Sequence, residues 1–229
     1  MSNPDEPILI TPDMLAGGGA GRGGPPGRVD FERGMRHAPP LVLLLIAANV
    51  VIFTREIATG ALTSSQRLIQ AGALTRDTVF GGQWWRLFSA PFLHASWEHL
   101  IGNCVVLYVV GMGCEHAFGP ARTAAIYLMS ALGGSLASVA FSRGPSVGAS
   151  GAVFGVAAAL IVTLHRHQDR FYLRDKRIGF VLAAWALYQI LIGFSTTYVD
   201  NAAHVGGVIG GVVASFLVRP RLLWEQPPS

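Results

Sequence analysis

The chain has 229 residues, 51% of them hydrophobic and 13% charged, with a formal net charge of +4. That length fits one domain or a compact bundle, and a soluble core does not require so apolar a composition. The charge is too small to call for a nucleic-acid partner; the placement of the basic residues matters more, because it sets orientation in a membrane.

Residues 1–38 read as a disordered cytoplasmic tail. Its centre, Gly17-Gly18-Gly19-Ala20-Gly21-Arg22-Gly23-Gly24-Pro25-Pro26-Gly27, has too little apolar surface to order itself. Arg28, Arg33 and Arg36 then precede Leu41–Phe53, apolar except for Asn49. A flank of nearly forty residues is too long for a cleavable signal peptide, so an uncleaved first span near 38–58 is expected.

Residues 59–97 are not apolar enough to span. They carry Trp84-Trp85-Arg86-Leu87-Phe88, then Pro91-Phe92-Leu93-His94 and Trp97. Aromatics around an arginine suit a loop lying partly in the membrane at headgroup level. Five further runs approach the ~20 residues a crossing helix needs, near 98–117, 121–141, 146–165, 177–195 and 201–218. The fold class expected is an all-α membrane protein, a bundle of six transmembrane helices over 39–220 with a short C-terminal tail over 221–229.

Arg166, Arg170, Arg174, Lys176 and Arg177 between the fourth and fifth runs, with Arg219 and Arg221 after the sixth, place both termini in the cytoplasm. Arg55, Arg67, Arg76 and Arg86 in the first outer loop count against this, but the short inner loop and the basic tail outweigh them. His37, His116, His165 and His167 then fall in cytoplasmic flanks and read as solvated, and His94 reads as structural. Cys104 and Cys114 lie ten positions apart on one expected helix, roughly 15 Å along its axis, which is too far for a disulfide. No Cys/His spacing typical of zinc occurs, nor a His-Glu-x-x-His, so no metal is expected.

With the N-terminus inside, the second, fourth and sixth helices all run from outside to inside. His99 and Asn103 lie near the start of the second, Ser150 near the start of the fourth, and His204 near the start of the sixth. Each sits roughly 3–9 Å below its helix entrance, so four polar side chains from three helices share one depth. Gly151-x-x-x-Gly155-x-x-x-Ala159 and Ala203-x-x-x-Gly207-x-x-x-Gly211-x-x-x-Ser215 are small-residue faces that let membrane helices approach closely. A lone serine in a span usually bonds its own helix, but a histidine there is costly and is by default a functional residue. Ser150 and His204 are therefore candidates for nucleophile and general base. His99 and Asn103, at i and i+4, project together as candidate donors to an oxyanion beside the Ser150 backbone N–H.

These residues resemble the rhomboid intramembrane serine proteases. Trp85-Arg86 is similar to that family's loop motif, His99-x-x-x-Asn103 to its second-helix pair, Gly148-Ala149-Ser150-Gly151 to its nucleophile motif, and Ala203-His204 with Gly207 to its sixth-helix motif. The resemblance covers roughly residues 38–220. It implies a Ser150–His204 dyad without a third acid, cutting membrane-spanning protein substrates within the lipid bilayer through an acyl-enzyme, with no cofactor. It implies substrate admission beside the fifth helix and the loop Ser195–Asp200, with Trp185 on the gating face. Phe154 stands where bacterial relatives often carry a tyrosine stacked on the histidine, and Asn201 resembles a polar neighbour of that histidine. A bacterial inner membrane, with the site opening to the outer side, fits the absence of organelle-targeting features. The alternatives are an inactive rhomboid-like client binder, which usually lacks the serine or histidine, and a proton-coupled transporter, which should carry intramembrane carboxylates.

Overall fold

A computed structural model of the chain describes residues 28–173, 184, 187, 191 and 199–225. The first helix, Pro40–Ala58 (α1), begins on a proline, whose missing N–H costs nothing at a helix start, and gives way to Gly60 at a φ of 68°. Its first amides are satisfied from a distant helix: Glu115 Oε1 accepts from the N–H of Leu41 at 3.3 Å and Oε2 from that of Val42 at 3.0 Å.

The first loop is a chain of short helices, Ser65–Ala71 (α2), Arg76–Phe80 (α3) and Arg86–Ser89 (α4). Phe80, Trp84, Trp85 and Phe88 are exposed on it, as expected of a loop set against headgroups. Trp97–Phe118 (α5) starts where Ser96 Oγ accepts from the His99 N–H and stops at Gly119, whose φ of 79° turns the chain into Pro120–Phe141 (α6). Ser150–Arg166 (α7) and Asn201–Leu217 (α8) follow, then the short Leu222–Glu225 (α9).

Helices α1, α5 and α6 are long and apolar enough to cross a membrane; α7 and α8, at 17 residues each, are shorter apolar helices. Large apolar side chains such as Leu44, Val51, Ile101, Leu136 and Ile209 are exposed on the outer helices, where lipid replaces water as the solvent. By contrast α7 is enclosed along most of its length, and α8 packs most extensively on α6 and α7. The expected run at 177–195 lies almost wholly outside the described residues.

Part of the stretch expected to be tail is structured. Val29–Asp30 (β1) pairs in parallel with Phe171–Tyr172 (β2), directly after α7. Phe31 buries itself edge-on against Phe171 and His116, at ring-centroid distances of 5.8 and 5.4 Å. His116 is accordingly not solvated as expected: its Nε2 is sealed from solvent. The start of α1, the end of α5 and the segment after α7 thus meet at one end of the bundle. That is the end expected to be cytoplasmic.

Candidate active site

Ser150 is the first residue of α7 and His204 the fourth of α8. The two helices touch backbone to backbone because glycine leaves the space: a Cβ on Gly207 would strike the Gly151 carbonyl, and one on Gly211 the Gly155 carbonyl. Association of helices in lipid depends on such close packing, since no hydrophobic drive separates helix from solvent there. At this approach His204 Nε2 stands 2.9 Å from Ser150 Oγ.

If the serine hydroxyl donates, the imidazole proton sits on Nδ1, an assignment that rests on hydrogen-bond geometry. That nitrogen is buried and has no hydrogen-bond partner among the described residues. The ring is held by its face instead. Phe154, one turn further along α7, stacks on it with centroids 4.4 Å apart and planes 17° from parallel.

The corner before Ser150 is shaped by Gly148, whose φ of 112° suits a residue without a side chain. A Cβ there would collide with the His99 imidazole and stand 3.4 Å from Asn103 Nδ2. The Gly148 N–H donates to the Ala90 carbonyl at 3.1 Å, pinning the corner to the first loop. His99 and Asn103, which their i, i+4 spacing lets project together, both lie against Gly148, two residues before α7. Asn103 is buried, and its Nδ2 has no partner among the described residues, so it is a donor held beside Gly148 with capacity to spare.

Behind this corner His94 is fully buried and lies edge-on to His99 at 5.2 Å. Burial, reinforced by His99, pushes its pKa down to about 3 against the pull of the Phe92 carbonyl, so it is neutral at pH 7. Its backbone N–H donates to Glu56 Oε2 at 3.1 Å. Arg86 is buried and braces the first loop: Nε donates to Gln83 Oε1 at 2.7 Å, and Nη1 to the carbonyls of Ile69 and Ala73 at 2.6 and 2.7 Å. Its guanidinium lies 4.8 Å from the Trp85 ring centre. Asn201 opens α8 and is half-buried. Trp185 lies outside the described residues.

Two acids were given no part in the site when the sequence was read, Asp200 being placed only at a helix end. Glu56 is buried on α1, and Asp200 caps α8 by accepting the Ala203 N–H at 3.0 Å. The signal for Asp200 was visible, since aspartate three residues before a helical amide is a favoured cap.

Apolar helices enclosing a serine hydrogen-bonded to a histidine define a polytopic membrane protein with a polar pair near two helix starts. Comparison with known proteins is specific. Residues 81–221 match the model of the Rhomboid domain. The rhomboid protease GluP of Bacillus subtilis (strain 168) is 34% identical over 177 residues, 77% of this chain and 34% of that protein. The rhomboid protease AarA of Providencia stuartii is 31% identical over 200 residues, 76% of this chain and 71% of that protein. RHOMBOID-like protein 5 of Arabidopsis thaliana is 38% identical over 165 residues, 70% of this chain and 53% of that protein. The chain therefore spans about a third of the Bacillus relative and about half of the Arabidopsis one. It belongs to the rhomboid family.

Proposed function

We propose that the chain is an intramembrane serine endopeptidase that hydrolyses peptide bonds in or near transmembrane segments of other proteins. The observation that carries this reading is the 2.9 Å contact between Ser150 Oγ and His204 Nε2, in a chain homologous to proteins named as rhomboid proteases.

In the first step His204 Nε2 takes the Ser150 proton as Oγ bonds to the scissile carbonyl carbon. The carbonyl π electrons move to oxygen, and the oxyanion is met by Asn103 Nδ2, His99 and the Ser150 backbone N–H. Collapse of that intermediate breaks the C–N bond, and the imidazolium gives its proton to the leaving amine. Water then attacks the acyl-enzyme, His204 takes the water's proton, and Ser150 is regenerated as the new carboxyl terminus departs. Phe154 orients the imidazole in place of a third acid, while Gly148, Gly151 and Gly207 provide the close approaches and Asn201 lies beside the base. Trp85 and Arg86 hold the first loop in shape, and the gating role that the resemblance implies is assigned to Trp185.

The same reading assigns six spans over 39–220, cytoplasmic termini with tails over 1–38 and 221–229, and a bacterial inner membrane with the site opening outward. It needs no cofactor. Cleavage of a reporter transmembrane substrate in proteoliposomes is the test. Ser150→Ala and His204→Ala should each abolish it while the protein still inserts, and retained cleavage in either variant overturns the assignment.

A further inference from the structure

We propose that Asp200 is a positioning residue for His204, joining the first turn of α8 to the far end of α6. The inference rests on the protease reading above and extends it to a residue outside the reacting groups.

Asp200 is gripped from two sides. From α6, Ser138 Oγ donates to Oδ2 at 2.6 Å, and the Ser142 hydroxyl, at the helix end, donates to Oδ1 at 2.5 Å. From α8, the Ala203 N–H donates to Oδ1 at 3.0 Å, and the His204 N–H donates to the Asp200 carbonyl at 3.1 Å. His204 is thus one hydrogen-bonded turn from a carboxylate that is itself tied to a second helix. Burial pushes the Asp200 carboxyl up, but the hydroxyls of Ser138 and Ser142, the Ala203 N–H and the Ser146 hydroxyl together hold it below the ordinary aspartate value, so it is the carboxylate that is held.

The geometry needs such an anchor. Among the described residues nothing bonds His204 Nδ1, and the ring is contacted by Phe154 on its face and by Ser150 at Nε2. The backbone of the first turn must then fix where the ring starts, and first turns fray when uncapped. A displacement of about 1 Å at a reacting group costs on the order of 10²-fold in rate.

The test measures the rate of fluorophosphonate labelling and the kcat and KM for a reporter substrate, each per labelled site, in detergent-solubilised full-length protein. Asp200→Ala should reach the same labelled fraction roughly 10- to 100-fold more slowly, with kcat lowered and KM little changed. Asp200→Asn, which keeps an acceptor for the Ala203 N–H, should recover most of that loss. A purely structural cap would reduce the labelled fraction and leave the rate per site untouched. That result, or a rate within twofold of wild type, overturns the proposal. If Asp200→Ala does not fold, Ser138→Ala with Ser142→Ala removes only the tie to α6 and is judged by the same twofold limit. Failure of the protease reading has a different signature: wild type unlabelled, or Ser150→Ala labelled equally fast.

Discussion

Phe154 lies almost parallel to His204, 4.4 Å from ring centre to ring centre, and on the proposed reading this stacking is what orients the imidazole. An aromatic pair of this kind contributes about 0.5–1.5 kcal/mol beyond its burial. Phe154→Ala should therefore lower kcat by roughly 2- to 10-fold through loss of stacking, with a further loss from the cavity left behind. Phe154→Tyr keeps the ring face and should remain within a few-fold of wild type. Steady-state kinetics on the two variants make the comparison.

Gly207 sets the distance between the helices that carry the pair. A methyl group there strikes the Gly151 carbonyl, which is backbone and cannot rotate away, so α7 and α8 must part. Gly207→Ala should lower thermal stability and reduce cleavage at least tenfold, because even a 1 Å separation breaks the 2.9 Å contact. Val205→Ala, at an exposed position on the same turn, is the control and should change little. Thermal unfolding in detergent, read alongside cleavage, separates the two.

Arg86 is buried with three short hydrogen bonds to loop acceptors. Lysine cannot reproduce that fork of donors. Arg86→Lys should destabilise the first loop by roughly 2–4 kcal/mol, since it leaves buried carbonyls unsatisfied. Limited proteolysis should then cut within residues 65–90 at lower temperature than in wild type.

Acid should weaken the fold through His94. Its folded pKa of about 3 lies below the ~6.5 of an unfolded histidine. Between those values the unfolded chain binds a proton that the folded chain refuses. The contribution is complete above pH ~6.5 and is lost progressively as pH falls toward 3. A neutral isostere at this position, His94→Gln, should flatten that slope even if it lowers stability at pH 7. Unfolding midpoints measured from pH 4 to 8 give the slope directly.

Five helix positions were legible from apolar runs, and α1, α5, α6, α7 and α8 fall close to the expected bounds. The Ser150–His204 contact and the approach of His99 and Asn103 to Gly148 fit the shared depth read from the helix starts, because parity and depth reduce the problem to one dimension. Phe31 and His116 were misjudged because a two-residue strand leaves no periodicity, and its partner lies far along the chain at Phe171–Tyr172. Asp200 was readable as a cap but not as an anchor. The hydroxyls that grip it belong to another helix, 58 and 62 residues away in sequence. The grip of Arg86 on the carbonyls of Ile69 and Ala73 was hidden for the same reason, since backbone acceptors in a loop have no sequence signature.

The most direct measurement is covalent: treat the detergent-solubilised protein with a fluorophosphonate, digest it, and locate the adduct by mass spectrometry. Label confined to Ser150, abolished in Ser150→Ala and slowed by at least about 10³-fold in His204→Ala, is the expected result. An adduct on another residue, or a His204→Ala protein that labels as fast as wild type, would contradict a nucleophile activated by its neighbour on α8.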